Sequence, residues 1–161
     1  LKSLLIVYHS RTGGTAQMAE AAALAARAEG ETRLLQAHEA GPEDVLAADG
    51  YIFAAPENLA TMSGLMKEFF DRCYYPVLEH IEGRPYAVMI CAGSDGEGAA
   101  RQMARICTGW RLRAVAEPLI IRTGAQTPEA ILAPKTLAPA DLARCAELGA
   151  ALSAGLAAGV F

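Results

Sequence analysis

The stretch His9 to Ala16, HSRTGGTA, packs three hydroxyl side chains, one arginine and two adjacent glycines directly behind the apolar run LLIVY. That mixture suits an anion. Gly13 and Gly14 reach backbone conformations closed to other residues and leave room beside the turn, so main-chain N–H groups can converge on one point. A helix starting here adds unpaired N–H groups and the positive end of its dipole. Ser10, Thr12 and Thr15 supply hydroxyl donors, and the expected occupant is a phosphate. The competing reading is a plain glycine turn with Thr15 as helix cap. Other phosphate motifs do not fit: the turn has no GKS or GKT ending and no GxGxxG, and His9 or Ser10 stands where a cysteine phosphatase needs its nucleophile. A phospho-acceptor receiver domain needs acidic residues after the first strand and an aspartate after the third, where this chain reads YHS and AAP.

The elements that must position this turn are strand-length apolar runs at 4–8, 32–37, 51–55, 86–92 and 114–121. Between them apolar residues recur at helical spacing. Leu142, Cys145, Leu148, Leu152 and Leu156 form one stripe on a C-terminal helix introduced by Pro139, with Asp141 as the expected cap. Met66, Phe69, Phe70 and Cys73 repeat the pattern behind Ser63, as do Met103, Ile106 and Cys107 behind the glycine-rich turn at 93–98. Continuous apolar strands alternating with helices imply a parallel sheet covered on both faces, hence a three-layer α/β/α fold in one domain, 1–161. Residues 122–138 have no clear period and are expected to be mostly loop, with no function assigned.

Ligands of such sheets sit beyond the carboxyl ends of the strands. Two further strand-to-helix loops lie there, PENLATMSG at 56–64 and CAGSDGEGA at 91–99. Pro56 ends a strand, Ser63 can cap a helix, and Gly93, Gly96 and Gly98 permit close backbone approach to a flat ligand. With SRTGGT, these loops and the following FFDR resemble the flavodoxin-like FMN proteins, closest to the flavodoxin-family and NAD(P)H-quinone reductase, WrbA-like, branch. The resemblance runs across most of the chain.

This resemblance implies a five-stranded parallel sheet in the order 2-1-3-4-5 with FMN at its carboxyl edge. Ser10, Arg11, Thr12, Gly13, Gly14 and Thr15 would wrap the phosphate. Pro56, Glu57, Asn58, Leu59, Ala60, Thr61 and Met62 would line the isoalloxazine, and Gly93, Ser94, Asp95, Gly96 and Glu97 would close its other side. The implied function is transfer of reducing equivalents from NAD(P)H, as co-substrate, to a quinone or another small acceptor. One alternative is an electron carrier docking to redox proteins, with Glu57, Asp95 and Glu97 as an acidic rim. The other is a flavin-free binding or regulatory module. The ring loops contain no Trp, Tyr or Phe, which favours the enzyme unless Trp110, Tyr74 or Tyr75 of a neighbouring subunit covers the ring. A homo-oligomer is consistent with the family. No catalytic side chain is assigned, because the cofactor carries the chemistry; Glu57 is expected to disfavour an anionic reduced flavin.

The bulk properties narrow the rest. The chain has 161 residues, 53% of them hydrophobic, and a formal net charge of -4 without a Lys/Arg-rich run, which argues against nucleic acid as a partner. No charge-free apolar run reaches spanning length, and LKSLLIVYHS has none of the parts of a signal peptide, so a cytoplasmic location is expected. Cys73, Cys91, Cys107 and Cys145 form no CxxC pair, and His9, His38 and His80 show no metal-ligand spacing, so no metal is expected. Arg101, Arg105, Arg111 and Arg113 read as a solvated helix face in preference to an NADPH clamp.

Overall fold

The computed structural model describes residues 1–161, and the elements follow the alternating apolar pattern. They are β1 (Ser3–Tyr8), α1 (Gly14–Arg27), β2 (Glu31–Gln36), α2 (Pro42–Ala47), β3 (Gly50–Asn58), β4 (Thr61–Met62), α3 (Gly64–Val77), β5 (Pro85–Ala92), α4 (Glu97–Gly109), β6 (Arg113–Ala114), β7 (Leu119–Arg122), α5 (Pro128–Leu132) and α6 (Pro139–Ala157). The main sheet runs β2-β1-β3-β5, parallel throughout, with β6 and β7 both on the outer side of β5. Counted as one edge strand, β6 and β7 complete the expected order.

Both faces of the sheet are buried, which is why the strands read as continuous apolar runs. Leu5, Val7, Phe53, Val88 and Ile90 face a core closed by α3 and α4. Leu4, Ile6, Ile52 and Met89 face a second core closed by α1 and α6. The first core is aromatic: Phe53, Phe69, Phe70 and Trp110 pack with ring centroids 5.0–6.2 Å apart. Trp110 is 2% exposed, so it is a core residue and offers no aromatic surface to another subunit. The second core is built on alanines of α1, Ala19, Ala22, Ala23 and Ala26, whose small side chains let α6 lie close. Cys145, Leu152 and Leu156 of the expected stripe are buried, and Leu142 and Leu148 pack against them.

Four details differ from the sequence expectation. The run 114–121 is not one strand. Arg113 and Ala114 pair with Pro85 and Tyr86, and Leu119–Arg122 pair with Met89–Ala92. Val115 to Pro118 therefore lie opposite Ala87 and Val88 alone, a bulge at an edge, where the missing N–H of Pro118 is tolerated. Second, β4 adds a small antiparallel hairpin to β3, with Glu57 opposite Met62 and Asn58 opposite Thr61. Third, α6 is preceded by Ala138, not capped by Asp141; Asp141 sits in the first turn, where its charge meets the helix dipole, and lies 3.8 Å from Arg144. Fourth, 122–138 is mostly loop as expected, but it also holds the last residue of β7 and the short α5, which Thr127 caps by accepting from the Ala130 N–H at 3.2 Å. No helix is long and apolar enough to cross a membrane.

Candidate functional site

The carboxyl ends of β1, β3 and β5 open into a cavity of about 580 Å³, within the usual size of cofactor sites. All three glycine-bearing loops reach it. Ser10, Arg11, Thr12, Gly14 and Thr15 line it from the first turn, Pro56 to Ala60 from the second loop, and Cys91, Ala92, Gly93 and Ser94 from the end of β5 and the third loop. Six residues of the expected set stand outside the lining: Gly13, Thr61, Met62, Asp95, Gly96 and Glu97. Met62 is 3% exposed and belongs to the aromatic core, its N–H donating to Gln102 Oε1 at 2.8 Å. Thr61 is held in the hairpin. Gly13 and Gly96 precede α1 and α4, both with left-handed φ, 97° and 100°.

The first turn has the local chemistry of an anion site. The Gly13 N–H donates to Ser10 Oγ at 3.1 Å, which curls the chain so that α1 starts at Gly14. Thr15 lies inside the first turn of α1 and is not its cap. Its side chain is 1% exposed, and Oγ1 is buried without a hydrogen-bond partner in the protein. A buried hydroxyl left unpaired costs about 1–3 kcal/mol, so its presence at a cavity wall calls for an outside partner. The first N–H groups of α1, which have no intrahelical acceptor, lie in the same place.

The second loop is a hairpin whose two-residue tip, Leu59 and Ala60, has φ of 52° and 67°, the left-handed region in both. Leu59 is 99% exposed at the cavity mouth. Glu57 is occupied elsewhere than the sequence implies: its carboxylate accepts from the Gly96 N–H at 2.8 Å and the Ala99 N–H at 3.0 Å. It thus caps α4 from the second loop and fixes the third loop against the second. Ser63 precedes α3, but its hydroxyl makes no cap bond; Ser63 Oγ lies 2.8 Å from His9 Nδ1. Burial, with Arg11 and His38 nearby, lowers the His9 pKa. The acidic rim is also weaker than expected. Glu57 points inward, Glu97 lies 3.5 Å from Arg122, and the Arg122 Nε–H donates to the Asp95 carbonyl at 2.7 Å.

A wall that sequence reasoning missed comes from 122–138, which contributes Thr123, Ala125, Gln126, Ile131 and Lys135 to the cavity. Its one local sign is a lone lysine beside Pro134, in a segment that also holds Pro128. Cys91 also lines the cavity; burial pushes its thiol up, opposed by the Lys135 charge. Cys73 and Cys145 are pushed up to about 11 by burial, so these thiols stay protonated at neutral pH. Arg101, Arg105, Arg111 and Arg113 are exposed and do not line the cavity. Neither does any Trp, Tyr or Phe.

A sheet of this order with three such loops around one carboxyl-edge cavity defines a flavodoxin-like fold. A family model described as "NADPH-dependent FMN reductase" matches residues 36–124, over half of the chain, and the chain belongs to this family of flavodoxin-like FMN-binding proteins. A flavodoxin from Aquifex aeolicus (strain VF5) is 40% identical over 97 residues, 59% of this chain and 52% of that protein, so the match spans about half the length of the relative. Among solved structures, a flavodoxin from the domain Archaea superposes with a TM-score of 0.78 at 16% identity, covering 96% of this chain and 99% of the other. The flavodoxin, WrbA-like protein from Agrobacterium tumefaciens gives 0.76 at 18% identity, covering 95% and 96%. These two likenesses concern the fold.

Proposed function

We propose that this chain, with 1–161 acting as one domain, binds FMN at the carboxyl edge and works as an electron carrier between redox partners. The observation that supports this most is the orphaned hydroxyl of Thr15 in the first turn of α1, a residue that lines the same cavity as two loops suited to a flat ring. FMN, when bound, supplies hydride and single-electron chemistry. The chain's own contribution is to hold and orient it. Ser10, Thr12 and Thr15 with the α1 N–H groups take the phosphate, Arg11 adds charge at the rim, and Pro56 to Ala60 with Gly93 and Ser94 flank the ring. The exposed Leu59 gives the mouth an apolar contact for a docking protein. The flavodoxin relative supports the carrier reading.

A second reading is an NAD(P)H-dependent reductase of a quinone or other small acceptor. It is favoured by a lining without aromatic side chains, which would leave one face of a ring free for a nicotinamide, and by the description of the family. Titration of FMN fluorescence with apoprotein, alongside riboflavin and FAD, tests the common part: saturable quenching by FMN is expected, and its absence overturns both readings. Anaerobic NADPH and NADH added to the FMN-loaded protein then separate them. An unchanged flavin spectrum, with fast electron delivery from the chemically reduced protein to a redox protein, is the carrier result. Bleaching with steady quinone turnover is the reductase result.

A further inference from the structure

The segment 123–137 is tied at both ends to the turns that surround the cavity. At one end the Thr123 N–H donates to the Ala92 carbonyl at 2.9 Å and the Gly124 N–H to the Gly93 carbonyl at 2.8 Å, prolonging the β5–β7 pairing past the sheet edge. At the other the Lys135 N–H donates to the Thr12 carbonyl at 2.9 Å. Gln17 on α1 rivets this end: its Nε2 donates to the carbonyls of Gly13 at 2.9 Å and Lys135 at 2.7 Å, and its Oε1 accepts from the Leu137 N–H at 3.1 Å. The segment is therefore a strap laid from the third loop to the first turn, and its position depends on the turn it covers.

Lys135 is the charged group on that strap. Its stem packs beside Gly14, and its ammonium donates to the carbonyls of Ile131 at 2.8 Å and Ala133 at 2.6 Å and to Thr12 Oγ1 at 3.3 Å. All three acceptors are neutral, and no carboxylate of the chain lies within 4.0 Å. The residue is half-buried and lines the cavity with Thr12, Gly14 and Thr15. These neutral oxygens satisfy its three N–H donors but leave its charge unbalanced, and an anion at the turn would add the Coulomb attraction they lack. Thr15, which lines the same cavity, is 1% exposed and its Oγ1 has no partner in the protein. The unbalanced charge and the unpaired hydroxyl are complementary, since a phosphate accepts from both.

We propose that Lys135 is a phosphate ligand of the site, delivered by the strap, and that it makes the cavity select the phosphorylated flavin over riboflavin. The long bond to Thr12 Oγ1 is the one exchanged, while the two carbonyl contacts keep the ammonium aimed at the turn. The identity of the ligand rests on the FMN reading; the anion clamp itself does not.

The test pairs FMN and riboflavin titrations with thermal shifts in inorganic phosphate, on wild type, Lys135→Gln, Lys135→Met and Lys135→Arg. Loss of one charge-assisted hydrogen bond should weaken FMN by about 10- to 100-fold in the Gln and Met variants. Riboflavin affinity should stay level, and Lys135→Arg should keep most of the selectivity. Inorganic phosphate should raise the Tm of wild type and Lys135→Arg but not of Lys135→Gln. A purely structural lysine would lower the ligand-free Tm of the variants and leave the FMN-to-riboflavin ratio intact, which overturns the proposal. So does an FMN affinity of the wild type that is insensitive to KCl, a readout that needs no variant to fold. If wild type responds to phosphate through Lys135 but not to FMN, the clamp stands and the flavin reading falls.

Discussion

Two helices of this protein start alike and end up with different partners. Gly13 precedes α1 and Gly96 precedes α4, both with φ near 100° and both at the carboxyl edge of the sheet. Each start leaves N–H groups that the helix cannot satisfy itself. At α4 the chain supplies its own anion, because the Glu57 carboxylate reaches across and accepts from Gly96 and Ala99. At α1 no carboxylate arrives; instead the turn is ringed by hydroxyls, one of them orphaned, and by the Lys135 ammonium. The same backbone device thus serves a structural joint in one place and, on the proposed function, an anion site in the other. What separates them is that the chain places a carboxylate at the start of α4 and none at the start of α1.

The largest expected effect comes from disturbing the joint. An alanine Cβ at Gly96 would meet Ile120 Cγ2 at 2.6 Å, whereas at Gly13 the nearest atom is Gln17 Nε2 at 3.8 Å. Gly96→Ala adds overpacking to the left-handed strain and should cost ~3 kcal/mol, while Gly13→Ala pays only the strain, ~1–2 kcal/mol. Denaturant midpoints measure both, and equal losses would break the contrast. Next is Glu57→Ala, which strands two N–H groups and should cost ~2 kcal/mol in the ligand-free protein. Glu57→Gln, with one oxygen to accept, should fall between. Thr15→Val should move stability the other way. Removing an unpaired buried hydroxyl should raise ligand-free stability by ~1 kcal/mol while weakening FMN about 10-fold. A Thr15→Val protein that is less stable without ligand would mean the hydroxyl is already satisfied.

The contrast was half legible in the sequence. The first turn was readable because its hydroxyls and glycines are contiguous, and the sheet was readable because burial on both faces leaves unbroken apolar runs. Glu57, by contrast, reads as a ring-loop acid until the fold brings Gly96 and Ala99 to it. Ser63 looks like a cap but spends its hydroxyl on His9, 54 positions away. The strap was opaque for the same reason. Gln17 and Lys135 lie 118 positions apart, and no periodic signal predicts that a proline-spaced stretch will cross the first turn. Edge-strand pairing failed at Val115 to Pro118 because register belongs to the partner strand and cannot be seen in the run itself.

The smallest effect links the first turn to the second loop. His9 follows β1, and its Nδ1 lies 2.8 Å from Ser63 Oγ, so it joins the first turn to the start of α3. Burial first, then Arg11 and His38, lower its pKa from the ordinary 6.5. The folded protein therefore disfavours the charged imidazole. Above pH ~6.5 the ring is neutral in both folded and unfolded chains and its contribution is fully present. As the pH falls towards the lowered folded value, the unfolded chain binds the proton more readily, and stability is lost. Urea midpoints between pH 7.5 and 5.0 should decline less steeply for His9→Asn than for wild type, and the difference between them should grow only on the acid side. Parallel curves would mean that His9 titrates freely and that the joint between the first and second loops carries no charge penalty.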